Sequence, residues 1–204
     1  MFLYVLASLA ACSIWLVYAG LAAQWCKVWK NNVPPGIPIY FLIIWFGIHS
    51  GYSLWGLAKS PPDWFMFAAF VPGVLLFPVI GLQFKSPRPK LGSIAVCAAG
   101  VLVVLAFCAG GVQLCNAQMK SNERLIGAVV SGISLLNLAV AIPGQIRKVK
   151  RTGINGSSRI FVIVNFLGFA AWLAYGLALP DPYLITTQTI GVLLQGYVVA
   201  LHFR

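Results

Sequence analysis

Four side chains carry chemistry that is out of place in the apolar runs holding them. Asn165 and Gln188 bring amides, His49 an imidazole and Trp172 an indole, each inside a stretch dominated by Leu, Val, Ile, Ala and Phe. An amide in an apolar, lipid-like environment is costly unless helix–helix hydrogen bonds or a wet cavity satisfy it. Amides also donate to and accept from hydroxyls, and aromatic rings stack on the apolar faces of sugar rings. Trp172, Asn165 and Gln188 together therefore supply both kinds of contact that a polyhydroxylated solute needs. The plainer roles are structural: amides that glue helices together, and a tryptophan in the interfacial aromatic belt.

His49 is the one titratable group placed near the middle of an apolar run. Its plain role is a neutral, hydrogen-bonded core histidine, and its sharper role a pocket-wall or proton-sensitive residue. Asn137 has the same ambiguity as Asn165 and Gln188, helix glue or pocket. Gly47 and Gly51 form a G-x-x-x-G on the run that carries His49, a spacing that lets helices pack closely.

The acids narrow the chemistry further. Asp63, Glu123 and Asp181 are all the chain has, and each falls at the end of an apolar run. Ion-driven carriers place a carboxylate in the path, so this distribution points to passive movement. Asp63 and Asp181 are instead placed to cap helices, where a carboxylate meets unpaired amides. No Ser/His/Asp order, H-E-x-x-H, P-loop or dinucleotide fingerprint is present, so the chain reads as no enzyme, with no cofactor and no metal site. A retinal-type site would need a Lys within residues 182–203, and none is there. The five cysteines, Cys12, Cys26, Cys97, Cys108 and Cys115, include no C-x-x-C pair; they read as buried thiols acting as small hydrophobes.

The elements that must position these residues follow from composition. Hydrophobic residues make up 60% of the 204-residue chain and charged residues only 8%, against roughly a quarter charged in soluble domains. Lipid is the solvent that such a surface requires. The net charge of +11 does not indicate nucleic-acid binding, because the basic residues sit in short clusters between apolar runs rather than on one face. Seven stretches are long enough to span a bilayer: 3–23, 37–58, 64–84, 91–114, 125–146, 159–179 and 182–203. The first reads as a retained helix rather than a signal peptide, since its first charge, Lys27, follows the apolar run.

Eleven of the 14 Lys and Arg fall on one side of this alternation: Lys27, Lys30, Lys85, Arg88, Lys90, Arg147, Lys148, Lys150, Arg151, Arg159 and Arg204. Lys59, Lys120 and Arg124 fall on the other. Cytoplasmic loops concentrate basic residues, which puts the N-terminus outside or in a lumen and the C-terminus in the cytoplasm. The tripeptide Asn155-Gly156-Ser157 matches a glycosylation acceptor but faces the cytoplasm in this arrangement.

Residues 23–59 align with 143–179 at an offset of 120, with identities at Lys30/Lys150, Gly36/Gly156, Phe41/Phe161, Ile43/Ile163, Phe46/Phe166, Gly56/Gly176, Leu57/Leu177 and Ala58/Ala178. After a two-residue shift Asp63 matches Asp181 and Gly73 matches Gly191. The expected fold is an all-α membrane protein of seven transmembrane helices, arranged as 3+1+3 parallel repeats of a three-helix bundle. Its expected parts are a first repeat at 1–84, a linker helix at 85–120 and a second repeat at 121–204. Parallel repeats of this kind pair about an axis along the membrane normal and can enclose a path near the midplane.

The segment Pro143-Gly144-Gln145-Ile146-Arg147-Lys148-Val149 begins like a PQ-loop, with Gly144 splitting the usual Pro-Gln pair. It continues through Gly153, Gly156-Ser157-Ser158, Asn165, Gly168, Trp172, Tyr175-Gly176, Asp181-Pro182 and Gly191. This pattern resembles the MtN3/saliva branch of PQ-loop proteins, the SWEET and SemiSWEET sugar transporters. The resemblance implies facilitated movement of a small sugar by alternating access. It implies that Trp172 lines the sugar pocket and that Gln188 faces it in place of the family's usual Asn. The matching places in the first repeat fall to Tyr52 and Phe70. Phe70 cannot hydrogen-bond a hydroxyl, and Ala23 stands where Pro143 would be matched. The resemblance assigns Pro143 as a hinge.

The resulting expectation is a pocket among helices 2, 3, 6 and 7. Trp172 stacks on the solute, Asn165 and Gln188 hydrogen-bond it, and Trp45, Tyr52 and Phe70 form an apolar opposite wall with His49 nearby. The expected partners are a small sugar-like solute and the lipid bilayer, with no nucleic acid; a homo-oligomer is compatible with the sequence. The alternative is a non-transporting receptor or assembly protein on the same fold, favoured by Phe70 and by the missing first-repeat proline.

Overall fold

The computed structural model describes residues 2–32, 39–86, 88–114, 122–152 and 159–203. Among the described residues every regular element is a helix. They are α1 (Phe2–Asn31), α2 (Ile39–Ala58), α3 (Trp64–Gly81), a 3-10 turn at Leu82–Phe84, α4 (Leu91–Leu114), α5 (Glu123–Thr152), α6 (Arg159–Ala178) and α7 (Pro182–His202). They coincide with the seven expected stretches. Four segments, Leu3–Asn31, Trp64–Phe84, Glu123–Val140 and Pro182–Leu201, are long and apolar enough by themselves to cross a membrane. The other helices hold shorter apolar segments at Leu42–Ala58, Leu91–Ala106 and Val162–Ala178. The chain is an integral membrane protein.

Two helices outrun the apolar stretches that announce them. α1 and α5 each have 30 residues, about 45 Å at the α-helical rise, whereas a hydrocarbon core is about 30 Å thick. Their last turns hold Lys27 and Lys30 in α1, and Arg147, Lys148, Lys150 and Arg151 in α5. Nothing in those turns stops a helix until Asn32 takes a left-handed φ of 51°, a conformation asparagine tolerates at a helix end. Pro34 and Pro35 follow α1 in the sequence, and Gly153 follows α5.

The fold divides into two compact units, Tyr18–Val130 and the pair of segments Met1–Val17 and Ser131–Arg204. In the Tyr18–Val130 unit α2 packs along α3. The α2–α3 turn is closed by Asp63, whose Oδ1 accepts from the Met66 N–H at 2.9 Å and whose N–H donates to the Gly56 carbonyl at 2.8 Å. The Arg88 Nε and Nη2 donate to the Trp29 and Lys30 carbonyls at 2.8 and 3.0 Å, satisfying the C-terminal carbonyls that α1 leaves open. Gln83 Nε2 adds a bond to the Trp25 carbonyl at 3.1 Å. The buried Lys59 ammonium lies 4.6 Å above the Trp55 ring, a cation–π contact.

The other unit repeats the turn. Asp181 N–H donates to the Gly176 carbonyl at 3.0 Å, and its Oδ1 accepts from Tyr183 and Leu184, both at 3.1 Å. Both acids thus cap helices, as their placement requires. Gly56 and Gly176 match because the turn is tight: a Cβ would lie 2.9 Å from the Asp63 carbonyl oxygen in one and 3.1 Å from Leu184 Cβ in the other. Leu138, Ile142, Val162 and Val198 form a buried core in this unit, and Ser131 Oγ donates to the Tyr183 carbonyl at 3.3 Å.

Two expectations change. Cys12 and Cys26 are exposed, and Cys97 and Cys108 partly so, rather than buried. On apolar helices such thiols meet lipid, where a small weakly polar group carries little desolvation cost. Of the G-x-x-x-G pair, only Gly51 has a close neighbour; its Cβ would lie 2.9 Å from Val130, while Gly47 has nothing within 4 Å. Gly36, Cys115, Lys120 and residues 155–157 lie outside the described residues.

Candidate solute-contact site

In the Tyr18–Val130 unit the site centres on His49. The residue is 2% exposed, and its Nδ1 lies 2.7 Å from the Trp45 carbonyl oxygen one turn back. A carbonyl only accepts, so Nδ1 carries the proton and Nε2 of the neutral ring is a bare acceptor. Nε2 is buried without a hydrogen-bond partner among the described residues. Trp45 stacks on the imidazole with centroids 5.4 Å apart and planes at 24°. Phe70 and Phe77 meet it edge-on at 5.3 and 4.9 Å, and Tyr18 lies at 5.5 Å. Phe70 also stacks on Tyr52 at 4.7 Å and 19°. His49, Trp45, Tyr52 and Phe70 are therefore gathered in one aromatic cluster.

Gly73 explains how the ring fits. A Cβ there would strike the His49 ring and stand 2.8 Å from the Tyr18 Oη. The missing side chain is a notch in α3 in which the imidazole of α2 seats. Tyr18 Oη lies 3.5 Å from the Phe70 carbonyl, at the limit of a hydrogen bond.

The other unit holds Trp172, Asn165 and Gln188, which are 1%, 8% and 6% exposed. Burial at this level excludes a lipid-facing belt position for Trp172. Its ring meets Tyr175 edge-to-face at 5.6 Å; the matching pair of the first repeat, Tyr52 and Trp55, is tilted at 35° with centroids 5.9 Å apart. A Cβ on Gly191 would strike the Phe169 ring, so α6 and α7 reproduce the notch of α2 and α3. Asn137 Oδ1 and Gln195 Oε1 are buried without partners among the described residues.

The repeat register makes the two clusters comparable position by position. The offset is 120 between α2 and α6, and 118 between α3 and α7. His49 then matches Phe169, and Gly73 matches Gly191. Trp45, Phe70 and Phe77 match Asn165, Gln188 and Gln195. The polarity is inverted: one repeat sets a polar ring among three aromatic residues, and the other sets an apolar ring at the register of three amides.

Residues 124–203, spanning nearly all of α5 to α7, match the family model MtN3_slv, described as a sugar efflux transporter for intercellular exchange. The whole chain superposes on the 3.7 Å resolution structure of a eukaryotic SWEET transporter with a TM-score of 0.69 and 15% sequence identity, covering 100% of this chain and 98% of that one. Among curated proteins there is no match. The chain has the fold of that SWEET transporter, and its residues 124–203 match the MtN3_slv model.

The MtN3_slv repeat contains Trp172, Asn165 and Gln188, and it also contains Pro143 inside α5, which stays helical through it. α1, with Ala23 at the matched place, is continuous as well. The resemblance drawn from residues 143–203 and the 3+1+3 helix order both hold. Tyr18, Phe77 and Gln195 were missed by the sequence reading. Extending the 118-residue offset one turn past Gly73 would have paired Phe77 with Gln195. Nothing in the sequence marks Tyr18, because only packing brings α1 against the Gly73 notch.

Proposed function

We propose that this protein moves a small sugar or similar polyhydroxylated solute across a membrane by facilitated, alternating-access transport. The observation that carries the reading is the burial of Trp172, Asn165 and Gln188 within the MtN3_slv-matching segment. Buried amides at membrane depth are costly unless a partner or a polar solute satisfies them, and a buried indole in the same segment offers a sugar ring a stacking face. Trp172 stacks on the solute, and Asn165 and Gln188 exchange hydrogen bonds with its hydroxyls. Tyr52, Trp45, Phe70 and His49 are the first repeat's contribution. Pro143 is the hinge of α5, because it removes one backbone hydrogen bond from an otherwise regular helix.

The absence of a carboxylate inside a span supports a uniporter rather than an ion-coupled carrier. The basic clusters at the ends of α1 and α5 support a cytoplasmic C-terminus and an outward or lumenal N-terminus. Repeats at 1–84 and 121–204, with a linker helix at 85–120, complete the reading. The non-transporting alternative is not favoured, since the family and fold matched are those of transporters.

Tracer uptake into proteoliposomes tests this. Wild-type protein is expected to equilibrate at least one mono- or disaccharide without an imposed ion gradient, and Trp172→Ala to lower the initial rate at least about tenfold, the equivalent of about 1.4 kcal/mol. No flux of any sugar would sink the proposal. Unchanged flux in both Trp172→Ala and Gln188→Ala would remove the site while leaving the fold intact.

A further inference from the structure

Phe169 shows that the notch between the second and third helix of a repeat is well filled by an apolar ring. An imidazole in the matching notch of the first repeat brings a cost that phenylalanine would not: an acceptor nitrogen, Nε2, buried without a partner. A buried polar atom left unsatisfied destabilises a protein. The rings of Trp45, Phe70 and Phe77 do not offset that cost, the hydroxyl of the neighbouring Tyr18 is directed at the Phe70 carbonyl, and the Nδ1 proton is already committed to the Trp45 carbonyl at 2.7 Å. The first repeat has also lost every amide that the second carries at the corresponding positions. Among these four registers of the first repeat, Trp45, His49, Phe70 and Phe77, only His49 carries a side-chain hydrogen-bond acceptor.

We infer that His49 is the specificity-determining residue of the first repeat, with Nε2 accepting a hydrogen bond from one hydroxyl of the transported solute. The inference rests on the sugar-transport reading and deepens it. The direction of the bond follows from the geometry. With Nδ1–H held by a backbone carbonyl, Nε2 accepts and does not donate, so the recognised group must be a donor.

The test compares a transported sugar with its deoxy and deoxyfluoro analogues, position by position, in proteoliposomes. Fluorine cannot donate a hydrogen bond, so at the position read by His49 both analogues are expected to lose flux by about the same factor, roughly five- to tenfold for one neutral hydrogen bond. His49→Phe is expected to elute as a monodisperse protein, since Phe169 occupies the equivalent notch. It should transport the parent sugar at the reduced rate and no longer distinguish it from the analogues at that one position, while keeping the wild-type profile elsewhere. His49→Gln, which restores an acceptor oxygen, should recover part of the discrimination.

A deoxyfluoro analogue that retains parent flux at every position overturns the inference, as does a His49→Phe profile identical to wild type. Failure of His49→Phe to fold overturns it too, because the imidazole would then be serving the packing. A wild type that moves no sugar removes the transport reading and this inference together, whereas wild-type sugar flux with an indifferent His49→Phe removes this inference alone.

Discussion

Gly73 and Gly191 set the residue scale of this protein. Each opens a gap in the third helix of its repeat that a ring from the second helix fills, His49 in one case and Phe169 in the other. A methyl group added at Gly191 would collide with the Phe169 ring itself and not with the end of a flexible chain, so the ring must leave its position. Overpacking of this kind costs about 1–3 kcal/mol. Gly191→Ala should therefore lower the unfolding temperature in detergent, and Phe169→Ala should lower it by opening a cavity. The double variant Gly191→Ala/Phe169→Ala should be less destabilised than the two single effects added together, because contacting sites are not additive. Additive effects would show that the ring and the glycine do not share the notch. The same reasoning separates the caps from the site. Asp63 and Asp181 each give a carboxylate oxygen to the first amides of a helix, a capping role at a helix end.

At the scale of elements, α1 and α5 are counterparts of equal length that differ in one feature. α5 contains Pro143, and α1 has Ala23 at the matching place. Proline in a helix interior removes a hydrogen bond and disfavours the straight helix by about 3 kcal/mol relative to alanine. If Pro143 lets α5 bend during transport, Pro143→Ala should raise the unfolding temperature and reduce sugar exchange in the same protein. A variant that is more stable and equally fast would show that α5 moves as a rigid rod. α1 has no such weak point, and its end is held by Arg88 and Gln83 through the carbonyls of Trp29, Lys30 and Trp25. The first helix of one repeat is thus tied down by backbone contacts, while the first helix of the other carries the built-in interruption.

At the scale of the whole molecule, the segregation of Lys and Arg supports the proposed orientation in the bilayer, with the N-terminus outside or lumenal. In a background with the five cysteines replaced, Ser60→Cys, in the α2–α3 turn, should react with a membrane-impermeant maleimide from outside the cell or in the lumen. Ser86→Cys, after α3, should react only once the membrane is permeabilised. The reverse pattern would invert the topology and place the basic ends of α1 and α5 on the wrong side for the positive-inside rule.

The sequence by itself determined the seven helices, their class and their duplication, because these follow from additive, local properties. An apolar run of about 20 residues needs no tertiary information to be read as a span, and a helix-starting aspartate caps whatever helix follows it. It also singled out Trp172, Asn165 and Gln188, all three of which are buried. It did not reveal that Trp172 is buried away from lipid, that the thiols of Cys12 and Cys26 face outward, or that only Gly51 of the G-x-x-x-G is used. Helical periodicity here is nearly featureless, since lipid-facing and core-facing residues are equally apolar, so facing direction is left to packing. The polarity inversion between the repeats also needed the fold. Phe70 read alone is a lost polar residue; the contacts around Gly73 show a polar ring a helix away, at His49, where only the tertiary structure brings it against Tyr18, Phe70 and Phe77.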